Sequence, residues 1–455
     1  MTERAITAPP QVSRRIPLPG TTSGGPDAVL STLEDFERWW AERHRAGRFE
    51  VDRVPLTELD AWHFDPGTGN LGHESGRFFT VEGLQVRFGG VVERSQPVIH
   101  QHEIGVLGIL VKEIDGVPHC LMQAKMEPGN VNVLQLSPTV QATRSNYTQV
   151  HRGAQTRYLE YFTGLARGEV LVDVLQSEQG AWFWRKRNRN LVVKVGGEVP
   201  VAPDFRWLPL PLVHRLLRID NLVNMDARTV LACLPPAGTA GAPGTARHPT
   251  ADILSWFTEA KTRCDWHARL VPLAEVGGWA VTGGEIVDDE RRQFRITGVR
   301  VTAGNREVTR WTQPLLEPRG QGLAVFVTKL IDGVRHVLVQ ARPEIGLLDL
   351  VEIGPTIQLS PGEDAGGIED PLVREVARGR LGRTRFSAVL SEEGGRFFHA
   401  LTRYRVVEVG EEFGTEPSPD YCWVADWQLT ELLRHGHYVN IEARSLLACL
   451  RSLPY

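Results

Sequence analysis

The chain repeats itself. Trp39 recurs as Trp256 and Val54-Pro55-Leu56 as Val271-Pro272-Leu273, both at an offset of 217 positions. Asp115-Gly116 returns as Asp332-Gly333, Gln123-Ala124-Lys125 as Gln340-Ala341-Arg342, and Pro138-Thr139-Val140-Gln141 as Pro355-Thr356-Ile357-Gln358. Nearer the end the offset is 216, pairing Trp207 with Trp423 and Asn224-Met225-Asp226-Ala227-Arg228 with Asn440-Ile441-Glu442-Ala443-Arg444. Any fold for this chain must therefore be built from one unit used twice. A Pro/Gly/Ala run from Pro235 to Gly244 separates the copies and has the composition of a linker. The expected organisation is a mobile tail over 1–28, rich in Pro, Gly, Thr and Arg. A first module follows over 29–234, a linker over 235–249 and a second module over 250–455.

Within each unit the pattern is α+β. Ser31 and Glu34 read as a capping box, with Leu33, Phe36 and Trp40 on one helix face. Alternation predicts strands at Phe78–Gln85 and Val86–Glu93, and the apolar run Val106–Val111 reads as another. A turn at Asp115-Gly116 leads back through Cys120-Leu121-Met122. Tyr158, Tyr161 and Phe162 have helical spacing. Strands are expected again at Leu171–Leu175, Trp182–Trp184 and Leu191–Val195, with a closing helix over Met225–Leu234. Cys233 and Cys449 fall on the apolar side of the closing helices and read as core.

Bulk properties narrow the function. A 42% apolar fraction and a net charge of −4 describe an ordinary globular chain and do not favour nucleic-acid or membrane binding. Five cysteines with no close pair argue against a disulfide framework or zinc ribbon, and a reducing cytoplasm is expected. No run approaches the ~18 apolar residues of a membrane helix, and the N-terminus lacks the apolar core of a signal peptide. There is no Gly-rich dinucleotide fingerprint, P-loop, Gly-x-Ser-x-Gly elbow or His pair at metal-ligand spacing. No cofactor and no metal are expected.

The densest polar stretch runs from His100 to Tyr147, and buried polar groups need partners. Residues common to both copies are most simply explained by the shared fold, so differences carry the functional signal. His102-Glu103 becomes Arg319-Gly320, Asn130 becomes Leu347, Gln135 becomes Glu352 and Ser137 becomes Gly354. Arg144-Ser145-Asn146-Tyr147 becomes Pro361-Gly362-Glu363-Asp364. These differences place the active site in the first half. His102 and Glu103, at the start of a strand, and Glu127 are candidates for moving a proton. Lys125, Arg144, Asn130, Gln135 and Asn146 are candidates for holding a carbonyl that becomes an enolate. The run from Trp182 to Asn190 interleaves aromatics with Arg185, Lys186, Arg187 and Arg189. That pattern suits one nucleotide, or less readily an RNA.

Gln101-His102-Glu103-Ile104-Gly105, Gln123-Ala124-Lys125-x-Glu127-Pro128-Gly129-Asn130, the run from Gln135 to Tyr147, and Lys186-Arg187-Asn188-Arg189-Asn190 resemble the NDP-hexose 2,3-dehydratases of deoxysugar biosynthesis. The resemblance spans nearly the whole chain. It implies two tandem modules of Nudix topology, each a mixed sheet with flanking helices, paired as a homodimer. The Nudix box itself is missing, since Arg378 and Gly379 stand where its metal-binding glutamates would be. The implied substrate is a dTDP-linked 4-keto-6-deoxyglucose, and the labile product would pass to an NADPH-dependent 3-ketoreductase. On that resemblance His102, Glu103 and Glu127 are acid/base candidates, and Lys125 and Asn130 enolate stabilisers. Gln135, Ser137, Thr143, Arg144, Ser145, Asn146, Tyr147, Lys186, Arg187 and Asn188 would bind substrate. Arg319 and Arg342 would serve any nucleotide site in the second module. The competing expectation is a non-catalytic nucleotide-sugar-binding protein.

Overall fold

A computed structural model describes residues 29–143, 156–164, 168–234, 245–290, 292–304 and 309–453. Each half contains a seven-stranded mixed sheet. In the first, Glu169–Ser177, Arg187–Lys194, Gly105–Ile114, Val117–Met126 and Phe205–Pro209 lie side by side. Leu134–Ser137 and Val140–Ala142 are added to the two central strands. The one parallel contact within this sheet joins Arg187–Lys194 to Gly105–Ile114. The second half repeats the order, with its parallel contact between Gln321–Ile331 and Leu401–Glu408. The duplication read from the offsets is thus a duplication of α+β structure.

The halves are not side-by-side beads. Each has a second, smaller antiparallel sheet, and each lends a strand to the other's. Phe49–Val54 of the first half pairs with Phe294–Ala303, from Phe49↔Ala303 to Val54↔Gly298. His267–Val271 of the second half pairs with Thr80–Phe88, from His267↔Arg87 to Val271↔Gly83. Both exchanges end on a glycine. A Cβ on Gly298 would stand 2.5 Å from Val54 O, and one on Gly83 within 2.9 Å of Pro272 O.

Two helices, Met225–Cys233 and Ile441–Arg451, meet between the central sheets. Each carries a fully buried arginine that satisfies backbone carbonyls of both halves. Arg228 donates to Val223 O (2.8 Å), Ser391 O (2.9 Å) and Ser445 Oγ (3.3 Å). Arg444 donates to Val439 O (2.6 Å), Thr229 Oγ1 (2.7 Å) and Ser177 O. An arginine so placed is tolerated because its donors are matched. The joint also holds His214, whose imidazole is pushed down to about 4 by burial and then by Arg451 and Arg218. A histidine kept neutral binds protons less readily folded than unfolded, so its contribution is full above pH 6.5 and lost as pH falls through about 4. His214→Gln is expected to flatten that acid limb by about 2 kcal/mol in urea titrations at pH 7 and pH 4.5.

Local differences from the sequence reading have local causes. Thr32, not Ser31, caps the first helix (Leu33–Ala46), its hydroxyl accepting from Asp35 N at 3.1 Å. The strands expected to meet at Val86 are one continuous strand, Thr80–Phe88. It turns at Gly89-Gly90, both at positive φ, into Val91–His100. Trp182–Trp184 is no strand; it forms a turn with a single bridge, Phe183 to Ile99. Trp182 and Phe183 pack on Phe397 with ring centroids 4.7 and 5.2 Å apart, so neither ring is free to stack on a base. Among the described residues no helix is long and apolar enough to cross a membrane.

Candidate functional site

The strand Val117–Met126 delivers Lys125 and, just past its end, Glu127. Two positions apart on an extended chain, they share a side, and Lys125 Nζ lies 3.3 Å from Glu127 Oε1 with both largely buried. Gln141 donates to the same oxygen at 2.8 Å. Asn224, the N-cap of Met225–Cys233, donates to Gln141 Oε1 at 3.3 Å and to Ser137 Oγ at 2.8 Å. One helix cap therefore holds the amide that holds the carboxylate. Asn130 is buried beside Glu127, and its Oδ1 has no hydrogen-bond partner among the described residues.

A second wall comes from the strands Glu169–Ser177 and Arg187–Lys194 and the turn between them. Asn188 bridges Gly105 N (3.1 Å) and Glu178 Oε1 (2.5 Å), and Lys186 donates to the carbonyl of Glu103. Lys186 and Asn188 are buried, Arg187 half-buried. The basic run is therefore the edge of a buried site and not a solvated hairpin tip.

A third wall belongs to the second half. Its turn Glu392-Glu393-Gly394-Gly395-Arg396-Phe397 lies on the first half's Glu127–Asn130 loop. Gly129 N donates to Gly394 O (2.8 Å), and His399 N donates to Gly129 O (2.7 Å). Arg396 donates to Gln101 Oε1 at 3.1 Å and covers the Phe79 ring at 4.5 Å. Gln135 reaches across to Ser391 Oγ at 2.8 Å.

Electrostatically these walls form one cluster. Burial raises the carboxyls of Asp226, Glu178 and Glu393. For Asp226 the charges of Glu393, Glu178 and Glu127 raise it further. Glu178 is pushed up to about 8 by burial and Glu393, against Arg444 and Lys186. For Glu393, Arg396 opposes the rise. Lys186 is lowered to about 8 by burial, with Glu178 and Glu393 opposing. Burial and the neighbouring carboxyls together disfavour the charged forms of these acids.

The structure brings together Lys125, Glu127, Asn130, Lys186 and Asn188, and seats Glu103, Gln135 and Ser137 at the edges. Glu103 and His102 lie in the irregular stretch ahead of Gly105–Ile114, and not at the start of a strand. His102 is exposed, its ring tilted against that of His100 with centroids 3.8 Å apart, while His100 meets Glu82 at 2.9 Å. Partial burial and His100 lower the His102 pKa, with Glu82 opposing. Thr143 is half-buried, and Arg144, Ser145, Asn146 and Tyr147 lie outside the described residues. Arg319 is half-buried in a bend, and Arg342 Nε stands 3.5 Å from Glu344 Oε1.

Glu178, Asp226, Glu393 and Arg396 were not singled out by the sequence reading. Asp226 had a signal, since both copies keep an acid two residues after the capping asparagine. The second half retains the same scaffold. Gln358 donates to Glu344 (2.6 Å) and Asn440 to Gln358 (2.8 Å).

Two α+β halves that meet around a buried Lys125–Glu127 pair and several buried carboxyls have the make-up of a duplicated enzyme for acid–base chemistry. The family model for NDP-hexose 2,3-dehydratase matches residues 33–234 and again 250–450. The chain is 51% identical over 451 residues to a dTDP-4-dehydro-6-deoxy-alpha-D-glucopyranose 2,3-dehydratase of Saccharopolyspora spinosa, covering 94% of this chain and 93% of that one. A protein of the same name from Streptomyces violaceoruber is 51% identical over 438 residues (93% and 98%). One from Amycolatopsis orientalis is 47% identical over 448 residues (96% and 93%). The chain belongs to the NDP-hexose 2,3-dehydratase family.

Proposed function

We propose that this protein removes water across carbons 2 and 3 of a dTDP-linked 4-keto-6-deoxyhexose. The 4-ketone acidifies the hydrogen on carbon 3. A base takes that proton, the electron pair moves into an enolate, and the carbon 2–oxygen bond breaks as its hydroxyl leaves with a proton supplied by an acid. The enol of carbon 3 then tautomerises to a 3,4-diketo-2,6-dideoxy sugar. One water is lost and no electrons are exchanged with a redox partner.

The observation that carries this reading is the buried Lys125–Glu127 pair, 3.3 Å apart. Glu127, with a cationic and an amide partner, has the surroundings of a carboxylate that accepts a proton. Lys125 supplies a positive charge where the enolate oxygen develops, and Asn130 offers an amide beside it. Lys186, Arg187, Asn188, Gln135, Ser137 and the 143–147 segment would orient the sugar and diphosphate. Of the acid/base candidates, Glu127 is favoured over His102, which sits exposed with His100 and Glu82. The Nudix topology of each module, the 29–234 and 250–455 division, the homodimer, a cytoplasmic location and hand-over to an NADPH-dependent 3-ketoreductase extend the same reading. The family resemblance of the whole chain supports them.

The test is incubation with dTDP-4-keto-6-deoxyglucose, with and without such a reductase and NADPH, followed by mass spectrometry. Loss of one water is expected, with a stable 2,6-dideoxy-4-keto product only when the reductase is present. Substrate that binds but returns unchanged would favour a binding protein. Lys125→Ala is expected to lower kcat about 10²–10³-fold with a smaller change in KM. Steady-state kinetics check it.

A further inference from the structure

Each half's turn after its Ser-Glu pair closes the other half's cluster, so the chemistry of each cluster is set in part by the opposite copy. Ser177-Glu178-Gln179-Gly180-Ala181-Trp182-Phe183 aligns with Ser391-Glu392-Glu393-Gly394-Gly395-Arg396-Phe397 at an offset of 214. The packing is reciprocal. A Cβ on Gly180 would meet Glu344 Oε2 at 2.7 Å, and one on Gly394 would meet Asn130 Oδ1 at 2.2 Å. The turn that meets Glu344 carries an amide and an indole at two of the differing positions, Gln179 and Trp182. The cluster around Glu127 receives a carboxyl and a guanidinium, Glu393 and Arg396.

Resting on the dehydratase reading above, we propose that Glu393 of the second half is the acid that protonates the departing carbon 2 hydroxyl, opposite Glu127 as base. Its reach is adequate. Glu393 Oε1 lies 3.0 Å, and Glu127 Oε1 3.9 Å, from the point where a Cβ on Gly395 would stand, so both address one small region from different walls. A carboxyl is the right group, because it can hold a proton at neutral pH when burial disfavours its charge, as it does here. In the other cluster the Gln179 amide donates a hydrogen bond to Glu392 at 2.9 Å, and a carboxamide cannot act as a general acid. In balance, the Glu393 proton joins the hydroxyl oxygen as the carbon–oxygen bond breaks, and water and a Glu393 carboxylate result. The proton gained by Glu127 restores the pair through the cluster. Arg396, fixed on Gln101 and Phe79, is a positioning residue for this turn.

The experiment separates the two proton transfers. Wild type and Glu393→Gln are incubated with substrate in deuterium oxide, and deuterium at carbon 3 of unreacted substrate is followed alongside water loss. Glu393→Gln is expected to dehydrate about 10²-fold or more slowly while still exchanging the carbon 3 hydrogen. Glu393→Asp should recover part of the rate, and Glu344→Gln in the other cluster should match wild type in both readouts. Dehydration by Glu393→Gln within about threefold of wild type, or equal loss of exchange and dehydration, would overturn the assignment. A wild-type protein that does not dehydrate would instead overturn the dehydratase reading on which it rests.

Discussion

Glu127→Gln is expected to lose both hydrogen exchange at carbon 3 and dehydration, with kcat falling about 10²–10⁴-fold. The change keeps the side chain's shape and one acceptor oxygen, so Gln141 retains a partner while Lys125 loses its counter-charge. The base is removed before the first bond is broken, so no later step is rescued by a stronger acid. Nucleotide-sugar binding, followed by calorimetry, should remain within a few-fold of wild type, because the groups proposed to hold the diphosphate are untouched. Retained exchange in this variant would move the base elsewhere, with Glu103 next in line at the cluster's edge.

Gly129→Ala is expected to destabilise the whole protein by about 3–5 kcal/mol. An added Cβ would stand 1.7 Å from Phe397 O and 2.7 Å from Gly394 O, which are backbone atoms with little room to retreat. The halves would have to part locally and surrender the hydrogen bonds Gly129 N to Gly394 O and His399 N to Gly129 O. The other half offers an internal control. A Cβ on Gly346 would meet Phe183 O at 1.8 Å, and Gly346 N donates to Gly180 O at 2.8 Å, so Gly346→Ala should cost a similar amount. Urea unfolding of the three proteins measures this directly, and two near-wild-type midpoints would show that the clasp is not needed for stability.

Much of the architecture was legible because the chain states it twice. Offsets of 217 and 216 fix which segments play the same part, and short continuous apolar runs bounded by turn signals, such as Val106–Val111 before Asp115-Gly116, mark central strands. The partners of edge strands were not legible. Phe49–Val54 and His267–Val271 are short, and nothing in their own residues says that each joins the opposite half. The aromatic run at Trp182 misled for a related reason. Indoles beside arginines suit a stacking platform and an inter-half core equally well, and only the packing on Phe397 decides.

The proposed site was legible in part. Lys125, Glu127 and Asn130 stand out because the stretch around them packs amides, hydroxyls and charges between strands. Favouring the copy with more polar residues is a sound rule for a site built within one half. It fails where a turn serves its neighbour: the exchange of Gln179 and Trp182 for Glu393 and Arg396 enriches the second copy while equipping the first. Glu178 was hidden differently, since an acid at a strand end is most simply a solvated one, and its burial is a property of the assembled halves.

Where the hexose binds is the most direct test. A crystal structure with dTDP-4-keto-6-deoxyglucose or an unreactive analogue should place carbons 2 and 3 between Glu127 and Glu393, with the ketone oxygen toward Lys125. A hexose seated against Glu344 and Arg342 alone, or in the cleft lined by Tyr158, Tyr161 and Pro200, with the Glu127 cluster empty, would contradict the account.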